Sequence, residues 1–218
     1  TGWTALHDRP PAVGVWGSAA SDVWAVGPEG AEHFDGASWT ASPAAGALPL
    51  FGVWGSSRTD VWAVGASGVI MHYDGTTWTE VAGVGMDSEL LFKLWGTAAN
   101  DVWIVGTRGA ALHYDGSAWT RTASGTTDRL LTVRGRGPDD VYAVGGLSSP
   151  TVIHYDGTSW SPVAVEAFGG LMGVWTAPGH GLGVSGARGI LLADDGAGWM
   201  EPSDPTPTEL CLHAVWGD

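Results

Sequence analysis

The chain has 218 residues, with 9 basic against 23 acidic side chains and a formal net charge of −14. That balance excludes a nucleic-acid or anionic-membrane partner, since either requires a basic patch. A single cysteine, Cys211, excludes a disulfide framework and a Cys-rich zinc site. With 44% hydrophobic residues the chain is not disordered, and with 35 Gly and 14 Trp it needs many turns with large rings placed regularly between them. No apolar run reaches the about 18 residues of a membrane-spanning helix, so no membrane insertion is expected. No signal peptide is visible, and Thr1 in place of an initiator Met marks a processed, excised or truncated chain. Eight Arg to one Lys, with Asn100 the single Asn, fit a GC-rich bacterial source.

Taken in chain order, the predicted elements repeat. The segments are VGVWGSAASDVWAVGPEGAEHFDGASWT (13–40), FGVWGSSRTDVWAVGASGVIMHYDGTTWT (51–79), FKLWGTAANDVWIVGTRGAALHYDGSAWT (92–120) and LTVRGRGPDDVYAVGGLSSPTVIHYDGTSWS (131–161). A fifth, MGVWTAPGHGLGVSGARGILLADDGAGWM (172–200), is degenerate. GWTAL (2–6) precedes them as an orphan ending, and HAVWGD (213–218) follows as an orphan beginning. The Asp of the Asp-Gly turn falls at Asp35, Asp74, Asp115, Asp156 and Asp195, in steps of 39, 41, 41 and 39. Every Trp falls in one of three columns: Trp16, Trp54, Trp95, Trp175 and Trp216; Trp24, Trp62 and Trp103; Trp3, Trp39, Trp78, Trp119, Trp160 and Trp199.

Each repeat holds four short β-like runs. Run A is Leu50 to Trp54 in the second repeat, run B is D-V-W-A-V-G, run C is Val69 to Tyr73 and run D begins at Trp78. Asp-Gly between C and D is the strongest short-range hairpin signal, and Gly65 to Gly68 turns B into C. No sustained 3.6-residue period with caps appears. A four-stranded meander of about 40 residues, repeated, predicts an all-β propeller of antiparallel blades, because stacking blades around an axis buries both faces of each sheet. The chain is read as one domain, 1–218, with repeats at about 12–48, 49–89, 90–129, 130–169 and 170–209, and a partial blade made of 1–11 and 210–218. The runs total 22, two short of the about 24 of a six-bladed ring. Six blades in a longer parent is the expectation, with a five-bladed ring or a gap filled by another chain as alternatives.

The run VWAVG…HYDGTTWT resembles two propeller families. It is similar to the Asp-box repeats of the photosystem assembly factor and sortilin-like propellers, although HYDGTTW (72–78) carries His at the Ser position and lacks one residue between Asp and Gly. It also resembles the tectonin-type lectins. The first resemblance implies protein binding, the second glycan binding, and both imply the propeller fold over nearly the whole chain.

Several residue sets are candidates for function. The Trp columns read as inter-blade packing, with sugar-stacking platforms as the functional alternative. Asp22, Asp60, Asp101 and Asp140 open run B, where an Asp is expected to accept from backbone N–H groups of the A–B turn, with calcium as the alternative. Asp35, Asp74, Asp115 and Asp156 read as structural turn residues, with Trp39, Trp78, Trp119 and Trp160 as structural repeat positions. His33, His72, His113 and His154 recur once per blade, so they point to different sectors and cannot converge on one metal. The positions that break the pattern are the ligand-binding candidates. Arg134 replaces the run A Trp, while Lys93 and Thr132 fill a column otherwise Gly or Ala. Run A is innermost, so these side chains are expected to reach the central channel, where Arg134, Arg136 and Lys93 are read as a small basic cluster. The fifth repeat loses the opening Asp, the HYD pattern and the run B Trp, replaced by Gly183, and is read as a seam or partner-facing blade.

The functional expectation is a non-catalytic recognition or scaffold module, secreted or in the cell envelope. A glycan ligand is slightly preferred to a protein, with no required cofactor and calcium left open. Self-association through the incomplete blade is a further expectation. The alternatives are a glycoside hydrolase or sialidase-like enzyme, and a purely structural repeat domain. All four Tyr sit in repeat columns, and no G-x-S-x-G, P-loop or dinucleotide fingerprint appears.

Overall fold

The computed structural model describes residues 11–42, 49–82, 84, 88–167, 169–176, 179, 181–201 and 210–215. These form five four-stranded antiparallel sheets, each a meander of strands consecutive in the chain. The first is β1 (Gly14–Ala19), β2 (Asp22–Gly27), β3 (Gly30–Phe34) and β4 (Trp39–Ser42). The second is β5 (Leu50–Ser57), β6 (Asp60–Gly65), β7 (Ile70–Tyr73) and β8 (Trp78–Glu80). The third is β9 (Leu91–Ala98), β10 (Asp101–Gly106), β11 (Ala111–Tyr114) and β12 (Trp119–Arg121). The fourth is β13 (Leu130–Gly137), β14 (Asp140–Gly145), β15 (Thr151–Tyr155) and β16 (Trp160–Pro162). The fifth is β17 (Leu171–Thr176), β18 (Leu182–Gly186), β19 (Leu191–Asp194) and β20 (Trp199–Met200). The orphan run GWTAL and the Trp216 end of the last run lie outside the described residues.

Strands β1, β5, β9, β13 and β17 touch in that order, so the first strand of every sheet is innermost and the sheets are propeller blades. The third and fourth strands of a blade are joined by the Asp-Gly turn. Asp74 Oδ1 accepts from the backbone N–H groups of Thr76 and Thr77, both at 2.8 Å, and Gly75 takes φ +94, a left-handed backbone that a side chain would strain. Asp35, Asp115 and Asp156 make the same pair of bonds. In the fifth blade Asp195 keeps one such bond, from Ala197, and the neighbouring Asp194 accepts from Gly196 and Gly198 instead.

The core lies between blades. Trp24, Trp62 and Trp103 are only 2%, 3% and 0% exposed. Each lies against the Tyr and the outer Trp of the next blade. Trp103, for example, has its ring 4.6 Å from Tyr155 and meets Trp160 edge-on at 5.1 Å. Burying one indole removes roughly 150–250 Å² from water, an upper value of about 4–6 kcal/mol. The inner Trp column locks the blades at the axis. A Cβ on Gly55, Gly96 or Gly135 would stand 2.7, 2.9 and 2.8 Å from the ring of Trp16, Trp54 and Trp95 of the preceding blade. Where Arg134 replaces the Trp, the receiving position is Thr176 rather than Gly. The stacking is directional. Val53, Leu94, Val133 and Val174 are covered by the preceding blade and at most 8% exposed, while the equivalent Val15 of the first blade is 70% exposed. At the other end Ala214 lies against Gly173 as Gly52 lies against Gly14. Among the described residues no helix is long and apolar enough to cross a membrane.

Candidate functional site

The first three blades carry the same polar device at one end. Asp101 Oδ1 accepts from His113 Nε2 at 2.6 Å, Oδ2 accepts from Thr97 Oγ1, and the His113 ring stacks on Trp103 at 4.4 Å. Because an ionised carboxylate only accepts, each bonded Nε2 carries a proton. Asp22 and Asp60 repeat this with Ser18 and His33, and with Ser56 and His72. Instead of accepting from A–B turn N–H groups as expected, these Asp accept from a hydroxyl four residues before them and from an imidazole on the neighbouring strand. Burial, the largest influence on Asp101, pushes its carboxyl up. The bonds from His113 and Thr97 outweigh it and hold the group below the ordinary value.

The fourth blade alters this device, and the fifth loses it. Arg136 stands at the Ser18, Ser56 and Thr97 position, and Tyr142 at the Trp24, Trp62 and Trp103 position. Arg136 Nε donates to Asp140 Oδ2 at 2.6 Å and Nη2 donates to Tyr142 Oη at 2.9 Å, with His154 Nε2 donating to Asp140 Oδ1 at 2.8 Å. The register of the fifth blade puts Gly183 at the Trp position, Ala193 at the His position and Asp194 at the Tyr position. At the other junctions a Trp meets a Tyr and a Trp, but here Tyr142 faces Asp194. The lost ring volume leaves a groove of about 500 Å³ lined by Arg136, Tyr142, Val163, Leu182, Asp194 and Asp195, with Gly179, Gly181 and Gly196 at its edge. Its size is that of a ligand site. Burial, reinforced by the Asp140 charge, pushes the Tyr142 phenol above its ordinary value.

The four residues singled out from sequence are not gathered in one cavity. Of Lys93, Thr132, Arg134 and Arg136, Arg136 alone lines this groove. Thr132 Oγ1 donates to Met172 O at 2.6 Å, tying the inner strands of the fourth and fifth blades. Arg134 is exposed, in register with Tyr142. Lys93 is half-buried in the inner column, and burial holds its ammonium below the ordinary value. Asp194 and Tyr142 are the groove residues that sequence reasoning passed over. The signal was present, since Asp194 breaks the Tyr73, Tyr114, Tyr155 column. Among the described residues no group of three or more His, Cys, Asp or Glu could hold a metal ion.

No protein-family model and no curated protein matches the chain. Its architecture is similar to that of several solved structures. Against YCF48 bound to D1 peptide the TM-score is 0.66 at 16% identity, covering 90% of this chain and 71% of that one. Against the extracellular domain of the hybrid two component system BT4673 from B. thetaiotaomicron it is 0.74 at 10% identity, over 99% of this chain and 31% of that one. The corresponding BT3049 domain gives 0.67 at 11% identity, over 87% and 29%. The chain thus spans under a third of those two extracellular domains. At these identities the likeness shows the fold.

Proposed function

We propose that the chain is a non-catalytic recognition propeller and that its ligand, a segment of another protein, binds in the groove between the fourth and fifth blades. The observation that carries this is the coincidence of the broken repeat with the groove. Of the rings that meet at the other junctions, the outer one is kept here as Trp199, while Tyr142 stands for the Trp and Asp194 for the Tyr, with Arg136 beside them and a floor that keeps its core of Val144, Leu171, Leu182 and Val184. A rigid floor with polar walls suits binding. Support for a protein ligand comes from YCF48, a propeller of similar architecture seen bound to a peptide. The two extracellular domains support a secreted or envelope setting. A glycan is the second reading, favoured by an aromatic ring, Tyr142, lining the same groove as the two carboxylates Asp194 and Asp195.

The test compares the native chain with Tyr142→Trp/Asp194→Tyr, which restores the regular junction and fills the groove. Both are presented to a random peptide library and to a glycan array, with calcium and with chelator. Peptides held by the native chain and lost by the filled variant support the proposal. Glycans held and lost in the same way establish the second reading. Ligands retained equally by both chains refute the groove as the site.

A further inference from the structure

In an antiparallel meander alternate turns lie at opposite ends, so the links around the B–C turns and those between blades occupy the propeller face away from the groove. On that face, beside the third blade, a cavity of about 580 Å³ is lined by Arg108, Arg121 and the loop Thr122–Asp128. Two of eight arginines in a chain of net charge −14 converge on it. Arg108 sits in the turn after β10 with φ +54, a left-handed backbone that strains a side-chain-bearing residue and that glycine adopts freely. Its Nη1 donates to Ser88 Oγ at 3.2 Å, which anchors one corner of the guanidinium. The Arg121 guanidinium lies 3.7 Å from the carboxylate of Glu89, which is buried and does not line the cavity. The one carboxylate in the wall, Asp128, accepts from Thr151 Oγ1 at 2.6 Å. The loop Ser124-Gly125-Thr126-Thr127 also lines it, with Ser124 Oγ donating to Thr126 O at 3.2 Å. Thr126 Oγ1 accepts from the Asp128 N–H at 3.0 Å, leaving its own proton to donate, and Gly125 turns at φ +74.

Arg108 and Arg121 line one cavity together with the Thr126 hydroxyl, and a guanidinium is suited to a tetrahedral oxyanion, which it binds through paired N–H groups. We propose that this cavity is a binding site for a phosphate or sulfate group, held between Arg108 and Arg121 over the Ser124–Thr127 turn. It is independent of the groove between the fourth and fifth blades and lies on the opposite face.

The experiment is a titration of the isotopically labelled chain with inorganic phosphate, read from backbone amide resonances, against sodium chloride at equal ionic strength. The amides of Gly109, Gly125 and Thr127 are expected to move saturably with phosphate, with a dissociation constant on the order of 1 mM. Inorganic sulfate is expected to compete. Arg108→Gly is the decisive variant. It removes the guanidinium while relaxing the backbone, so the fold is retained or strengthened, yet phosphate binding is expected to weaken about tenfold. Arg188→Gly alters the same turn of the fifth blade, φ +57, and is expected to leave the titration unchanged. Chloride moving the same amides as phosphate does, or Arg108→Gly titrating like the native chain, overturns the proposal.

Discussion

Trp160 and Trp119 hold the same position in successive blades, but only one has its indole N–H satisfied. Trp160 Nε1 donates to Thr122 Oγ1 at 3.1 Å, whereas Trp119 Nε1 is buried without an acceptor. The residue equivalent to Thr122 one blade earlier is Val81. Thr122 N donates to Ala111 O as Val81 N donates to Ile70 O, and Val81 packs in the cluster that Trp119 caps. Val81→Thr therefore places a hydroxyl where the Trp119 N–H needs one, and Ile70 O is in place to accept the hydroxyl proton as Ala111 O does for Thr122. Threonine keeps the β-branched shape. An unpaired buried N–H costs about 1–3 kcal/mol and the methyl given up is worth about 1, so the variant is expected to gain about 1 kcal/mol. For a chain of this size that raises Tm by about 2–4 °C. Val163→Thr is the control. It faces Trp199, whose Nε1 already donates to Ala164 O at 2.8 Å, so it should lose about 1 kcal/mol. Thr122→Val should lose about 1–2 kcal/mol by orphaning Trp160 Nε1. The assay is equilibrium urea unfolding followed by tryptophan fluorescence, checked by calorimetry. If Val81→Thr destabilises as much as Val163→Thr, the repeat does not transfer hydrogen bonds between blades and the reasoning fails.

Three further outcomes are expected. Asp101→Ala strands His113 and Thr97 at an 8%-exposed site and should lower stability by about 2–4 kcal/mol in urea unfolding, while an equal loss from Asp101→Asn would show that charge, not bonding, matters. Ser185 is fully buried with an unsatisfied hydroxyl at a position that is Val26, Val64, Val105 and Val144 elsewhere. Ser185→Val should therefore raise stability by about 1–2 kcal/mol, and a lower Tm would refute this. The carboxyls of Asp22, Asp101 and Asp140 are held below 3.8 in the fold. A depressed folded pKa contributes stability that is present above the unfolded value and lost as pH falls through the folded one. Tm should accordingly hold from pH 7 to about 5 and fall below about 4. A calorimetric series with a flat Tm down to pH 3 would contradict these bonds.

The blade fold was legible because its signals are local and periodic. Asp-Gly followed by a two-residue gap and Trp fixes the outer hairpin, and three Trp columns mark which faces must be buried. The polar device was harder to read, since its members are 4 residues apart on one side of Asp101 and 12 on the other, across a hairpin whose register the sequence does not state. Its signal was joint loss: the fifth repeat drops the Asp and the His together, as partners in one bond must. Arg136 read as a channel residue because run A is innermost. Its direction is set by Asp140, which lies next to the inner hairpin turn and draws the guanidinium to that end of the blade rather than to the axis.

A propeller junction is over-determined, and this is why one altered junction carries functional weight. The Trp of one blade, the Tyr and Trp of the next and the Trp-on-Gly contact at the axis fix the spacing many times over. At the junction of the fourth and fifth blades Trp becomes Tyr142, Tyr becomes Asp194 and the inner Trp–Gly pair becomes Arg134 and Thr176, while the outer Trp is kept as Trp199. Random drift in any one would leave a bulky ring facing a filled site, or an empty one beneath a ring. Here the changes are mutually compatible: Thr176 occupies space that no Trp claims and donates to Gly181 O at 3.1 Å, while Leu182, Val184 and Leu192 keep the floor packed. The junction thus remains closed by its aliphatic core and opens only at the face where the polar device would stand. A fold whose other junctions are rigid can hold such an opening without collapsing it.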